Sequence, residues 1–386
     1  MSVLRHSPGL GRMIRQDPPA RLGESTRSHL DTALRNGNPG EAAQWIDYFL
    51  LELASVRTIF GVWDWHMVAY YLDRAEPDAW SRLVRESLAP WIATTAGAAH
   101  APAAEVATEG RNARLTVPGI ARIVHVAERD QQYHLSLDAP SAQERRWAKW
   151  RASVEAAISA GDAPAAGRLL DAHVAEARLI HDVLCDWAWA LLTVIARRWG
   201  EAALGDVLRV TEEPWVTVRY DKIRELSALD ALRLTVEGMR AHFSGPERRG
   251  EISVVEEADR FVLSFDACGT GGRMRRGDPV VGSGSRLAPP YNFLNVAGAY
   301  EWTWNRKGVC AYCAHCAVVN QILPIEKLGR PMRMTLYPEN PGDPCRWIIY
   351  KDPAGFPDDA FTQVGRRNPA PQGAPRGTPH DPPRRS

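Results

Sequence analysis

Lysine is nearly missing from this chain: of 47 basic residues in 386, five are lysine and the rest arginine. Acids number 46, so the net charge is +1. Without a basic excess there is no electrostatic case for nucleic acid or a membrane surface as the partner. No run of 18 apolar residues occurs, and the apolar stretch 188–196 stops at Arg197-Arg198. Residues 1–23 are basic and contain proline but lack the apolar centre of a signal peptide. Cysteine is absent before Cys185 and again until Cys268. These absences predict a soluble, cytoplasmic protein whose partner is a small molecule. In a reducing compartment, clustered cysteines are metal ligands or reactive thiols rather than disulfides. Oligomeric state is not legible.

What is present begins with an internal repeat. Residues 27–91 align with 151–215 at an offset of 124 without a gap, and thirteen positions are identical. They include Arg27/Arg151, Gly37/Gly161, Asp47/Asp171, Glu52/Glu176, Trp63/Trp187, Trp65/Trp189 and Trp91/Trp215. Within each copy, apolar residues recur at steps of three and four, as in Trp45, Phe49, Leu53, Val56, Phe60 and Trp63. A duplicated three-helix unit follows, two copies packing as one pseudo-twofold bundle.

The expected organisation is α+β and multidomain. Residues 1–26 form a flexible arm and 27–245 the duplicated helical domain. Val218–Phe243 is read as one amphipathic helix, with a boundary at Ser244-Gly245-Pro246. Short extended pieces fall between the copies, within 114–126. Residues 250–366 form a smaller α+β domain around an antiparallel sheet, with strands near 252–257, 260–265, 332–337 and 346–350 and a helix over 317–328. Residues 367–386, rich in proline and arginine, form a disordered tail.

Five of the six cysteines lie in the smaller domain. Cys310, Cys313 and Cys316 make two overlapping Cys-x-x-Cys spacings, and a two-residue gap lets both sulfurs of a pair face one ion. Cys268 follows one predicted strand and Cys345 opens another. If those strands are neighbours, both sulfurs share a rim with the 308–316 loop. The predicted ligand set is Cys268, Cys313, Cys316 and Cys345, with Cys310 a further candidate. Zinc is the first choice of metal; the overlapping spacings with a remote cysteine also resemble bacterial-type iron–sulfur ligation. Beside the metal, His315 is the candidate proton shuttle, Asp266 the general base and Arg273 the anion or oxyanion holder. The Gly269-Thr270-Gly271-Gly272 turn lacks the lysine and spacing of a nucleotide loop; its glycines are read as supplying positive φ. In the helices, Glu52 and Glu176 are read as buried ion-pair members with Arg74/Arg198 or Arg85/Arg209.

The order of features over 260–350 resembles the C-terminal half of the L-2-amino-thiazoline-4-carboxylic acid hydrolase-like family. The matching pieces are Phe265-Asp266-Ala267-Cys268, Tyr312-Cys313-Ala314-His315-Cys316 and Cys345-Arg346-Trp347-Ile348. The extra Cys310/Cys313 pair departs from that pattern, and the helical repeat lies outside it. The resemblance implies hydrolytic opening of a small ring or amide. The leading expectation is therefore a zinc-dependent hydrolase of a small organic substrate held between the two domains. An iron–sulfur redox or sensor protein and a binding protein with structural zinc are the alternatives.

Overall fold

A computed structural model of the chain describes residues 3–7, 11–76, some of 79–90, the strands between 105 and 136, and 140–369. The expected helix start at Pro77, the side chain of Trp65 and the tail beyond residue 369 lie outside the described residues. The class is α+β, with long helices and small antiparallel sheets.

The N-terminal arm is an ordered hairpin, contrary to the expectation. Strands β1 (Leu4–Ser7) and β2 (Arg12–Arg15) pair antiparallel, and α1 (Pro19–Leu22) follows. Leu4, Ile14 and Leu22 are buried, and Arg15 holds Asp17 at 2.8 Å, both out of solvent. These apolar side chains are too few and too scattered to give a period, yet each finds a place against the main body.

Helix α2 (Thr26–Arg35) ends at Gly37, and α3 (Pro39–Leu72) starts after the Asn38 cap, whose side chain accepts from Glu41 N. The offset of 124 maps this junction onto α4 (Pro140–Ser159) and α5 (Ala163–Trp199), where the Asp162 side chain accepts from Ala165 N. Gly37 and Gly161 adopt φ of +62° and +70°, the left-handed turn that glycine tolerates best. Between the copies, β3 (Glu105–Glu109), β4 (Asn112–Val117), β5 (Ile120–Arg129) and β6 (Gln132–Ser136) form a four-stranded meander, longer than the short pieces expected.

The bonds between the copies are reciprocal. Trp63 donates to Thr211 Oγ1 at 3.0 Å, and Trp187 donates to Ser87 Oγ at 2.8 Å; Thr211 and Ser87 are 124 residues apart. Arg27 pairs with Asp171 at 3.2 Å, and Arg151 with Asp47 at 2.7 Å, again at that offset. Of the partners expected for Glu52, Arg85 lies outside the described residues. Glu52 accepts from Arg240 Nε at 2.6 Å, while Arg74 meets Asp206, Arg198 meets Glu76 and Arg209 meets Glu326. Arg240 stands across a helix–helix contact that the repeat does not contain.

The helix expected over 218–243 is two. Helix α6 (Ala203–Arg224) stops, Ser227 accepts from Asp230 N at 3.1 Å, and α7 (Ala228–Arg240) begins. The apolar pattern runs on through the break, which hides it from a periodicity reading. Helix α5 is long and apolar enough to cross a membrane by length and composition, and 94% of its apolar window is buried inside the protein.

The C-terminal sheet has the order β11 (Met334–Leu336), β12 (Cys345–Tyr350), β8 (Arg260–Phe265), β7 (Ser253–Glu256). Between β8 and β11 lie the short helix α8 (Gly271–Arg276), the two-residue strands β9 (Asn295–Val296) and β10 (Val309–Cys310), and helix α9. Helix α9 runs as His315–Ala317, a π-turn Val318–Ile322, then Leu323–Leu328. The wider turn accommodates Pro324, which lacks an N–H to donate. One hydrophobic core extends from α3, α5 and α6 into residues 291–364, crossing the expected boundary at 244–246.

Candidate functional site: a four-cysteine cavity

Strand β12 pairs with β8 so that Cys345 stands opposite Phe265. Cys268 lies three residues past Phe265, so the two cysteines come from adjacent strand ends, as their positions beside predicted strands suggested. Strand β10 ends at Cys310, a tight turn follows, and α9 opens with His315 and Cys316. Cys268, Cys313, Cys316 and Cys345 all line a cavity of about 630 Å³. Its other walls come from α3 (Phe60, Trp63), α6 (Tyr220), α7 (Met239) and the sheet (Trp347). All six cysteines are free thiols.

The glycine turn belongs to this site for a reason other than the expected one. Neither Gly269, Gly271 nor Gly272 has positive φ. They are needed for close approach. A Cβ on Gly271 would lie 2.2 Å from Cys313 Sγ, one on Gly272 3.0 Å from Cys268 Cβ, and one on Gly269 1.8 Å from His242 O. Thr270 Oγ1 sits 3.2 Å from Cys268 Sγ.

As bare thiols, Cys313, Cys316 and Cys345 resist ionisation. Burial and then the Cys345 and Cys268 neighbours push Cys316 well up; burial and then Cys268 raise Cys345. A hydrogen bond with Cys310, followed by burial, raises Cys313. Each thiolate would repel the next, so such a group ionises together only where a cation shares its charge. Cys310 is fully buried one turn behind, where its sulfur accepts from Cys313 N at 3.4 Å, and it does not line the cavity. Among the described residues, no three His, Cys, Asp or Glu side chains are placed to share a single metal ion.

Of the other predicted residues, His315 lines the cavity. Its Nδ1 donates to Tyr312 O at 2.6 Å, and its Nε2 is 3.5 Å from Cys316 Sγ. Burial lowers its pKa to about 4, so it is a neutral imidazole. Asp266 and Arg273 are not brought to the site. The Asp266 side chain is 69% exposed and pairs with Arg276 at 3.3 Å, and it does not itself line the cavity. Arg273 is buried behind the wall, where it donates to Asp186 Oδ1 at 2.6 Å and to Gly269 O at 3.2 Å. Arg273 sits where α8 turns its side chain and Asp266 in the turn between β8 and α8, and the loop sequence revealed neither direction.

Sequence reasoning missed His242, which lines the cavity through its hydrogen bond to His181 Nε2 at 3.2 Å. The adjacent His181-Asp182 pair was visible; its link to a histidine 61 residues on was not. The chain matches no family model, no curated protein and no solved structure.

Proposed function

We propose that this protein is an enzyme that acts on a small organic molecule in the cavity, with a cysteine-ligated metal centre as its reactive group. The observation that carries the reading is the convergence of Cys268, Cys313, Cys316 and Cys345, from three stretches of chain, on one cavity wall. We read them as ligands of an iron–sulfur cluster rather than of a single zinc ion. Zinc–sulfur bonds of about 2.3 Å put tetrahedral ligands ~3.8 Å apart, and no three described side chains close in that way. In a cluster each cysteine binds its own iron, so the four sulfurs stand farther apart around a larger body. Such a centre supplies electron transfer. The reducing cytoplasm is the compartment that keeps its ligands available.

The test is iron and acid-labile sulfide analysis of anaerobically purified protein, with its visible spectrum, for the native chain and Cys313→Ser. Iron with sulfide in the native chain and their loss in the variant are expected. Protein free of metal contradicts the reading. One zinc without visible absorbance selects a second reading, the zinc hydrolase implied by the family resemblance. That reading is favoured by a neutral His315 nitrogen beside Cys316. In it, zinc would lower the pKa of a bound water to ~7.

The scaffold itself we read as a duplication. The reciprocal bonds Trp63–Thr211 with Trp187–Ser87, and Arg27–Asp171 with Arg151–Asp47, support a pseudo-twofold arrangement of two copies.

A further inference from the structure

A second constellation reaches the same cavity from α5, and the four cavity cysteines play no part in it. Arg248 forks onto Asp182, Nη1 to Oδ2 and Nη2 to Oδ1, both at 2.6 Å. Burial alone would raise the Asp182 pKa, but Arg273 and Arg248 outweigh it and hold the carboxyl below its usual range. This carboxylate accepts from His181 Nδ1 at 2.9 Å. That bond fixes the proton of His181 on Nδ1 and leaves a lone pair on Nε2. His242 Nδ1, 3.2 Å away, faces that lone pair and is assigned as its donor, since two bare nitrogens at this distance would repel; the Cys185 sulfur lies 3.3 Å from the same nitrogen.

The consequence falls on the far side of the His242 ring. With its proton on Nδ1, His242 presents the bare lone pair of Nε2, and among the described residues this nitrogen has no hydrogen-bond partner. His242 lies on the cavity wall and is partly exposed there. Burial keeps its imidazole neutral. Around it the surface is aromatic: Phe60 stands edge-on at 5.5 Å, and Phe60 in turn stacks on Tyr312. His315 also commits its Nδ1 proton, to Tyr312 O, but its Nε2 already lies 3.5 Å from the Cys316 sulfur. The guanidiniums on the wall are already engaged: Arg276 with Asp266, Arg275 with Glu339 O, Arg333 with Asn320 Oδ1 and Thr235 Oγ1. Around His242 the surface is aromatic, and Nε2 is the acceptor that this residue offers to a ligand.

We propose that the cavity binds a small, uncharged aromatic or heteroaromatic molecule through an O–H or N–H group that donates to Nε2 of His242. Asp182 and His181 are positioning residues that hold His242 in the accepting tautomer. This rests on the reading of the cavity as a substrate site, but not on which metal it holds. A ligand without a donor would leave the nitrogen buried and unpaired, which costs about tenfold in affinity.

The experiment is calorimetric titration of the purified full chain with phenol, anisole and benzoate, metal content being measured on the same sample. Phenol should bind about tenfold tighter than anisole and tighter than benzoate. In His242→Leu the preference over anisole should vanish while the near-ultraviolet circular dichroism is unchanged. Equal binding of phenol and anisole, tightest binding of benzoate, or no binding at millimolar concentration overturns the proposal. Should the variant misfold, nitrogen-15 NMR of the native imidazoles decides. His242 protonated on Nδ1 is expected, reverting towards Nε2 in His181→Gln; a native His242 protonated on Nε2 contradicts it. A sample without metal that prefers phenol retains this inference and removes the metal centre; the reverse pattern does the opposite.

Discussion

A methyl group at Gly271 would stand 2.2 Å from the Cys313 sulfur, the tip of a buried side chain. Gly271→Ala must therefore displace that sulfur from its place in the cavity or push α8 away from it. Such overpacking costs about 1–3 kcal/mol. Thermal unfolding should fall by several degrees and bound iron should drop with it, whereas unchanged metal content would detach the turn from the site. Glu212 gives a prediction of another kind. It is fully buried, and neither carboxyl oxygen has a hydrogen-bond partner among the described residues. Burial raises its pKa well above the ordinary 4.5. Below pH 4.5 folded and unfolded chains are both protonated and nothing is lost. Above it the unfolded chain releases the proton and the folded one keeps it. Stability then falls by about 1.4 kcal/mol per pH unit up to the folded carboxyl's own pKa. Glu212→Gln should match the native chain near pH 4 and exceed it at pH 8 in urea denaturation. An equal offset at both values would rule out a buried neutral acid.

At the scale of elements, the two copies are tied by equivalent bonds used in opposite directions. Thr211→Val and Ser87→Ala each strand a buried indole N–H, from Trp63 and Trp187 respectively. Each should cost about 1–3 kcal/mol by denaturant unfolding. A large cost for one and none for the other would contradict equivalent roles. Helices α3 and α5 were legible because their apolar residues repeat at helical steps between a capping Asn38 or Asp162 and a clear end. Strands β8 and β12 were legible as apolar runs, Phe261-Val262-Leu263 and Trp347-Ile348-Ile349, bounded by turn residues. The meander β3–β6 was only glimpsed: Asn112–Val117 and Gln132–Ser136 do alternate polar and apolar residues, but the runs are short and include weak strand formers such as Asn112 and Ala113. The N-terminal hairpin was hidden because its order depends on tertiary burial of Arg15 and Asp17, which no local pattern encodes. The convergence of Cys268 and Cys345 could be foreseen from their places at strand ends. The fates of Asp266 and Arg273 could not, because side-chain direction in a loop is set by what packs behind it.

On the scale of the whole molecule, the helical repeat shares one core with residues 291–364, the sheet packs a separate apolar face against α7, and the cavity takes walls from both. Buried arginines reinforce the junction: Arg248, Arg273 and Arg286, all beyond residue 246, reach back to Asp182 and Asp186 on α5. Removing one partner of such a pair leaves an uncompensated charge and is strongly destabilising. The helical part is therefore expected to position the cavity, and not merely to carry it. Helices α3, α6 and α7 form its apolar walls, while the C-terminal segment brings the cysteines.

The central claim is that four cysteines hold a metal cluster in that cavity. Iron, sulfide and visible absorption measured on protein prepared without oxygen address it most directly. The account predicts iron and labile sulfide in comparable amounts, a broad visible band, and loss of both in Cys313→Ser. Protein that carries no metal in any preparation, with four unligated thiols, would contradict it.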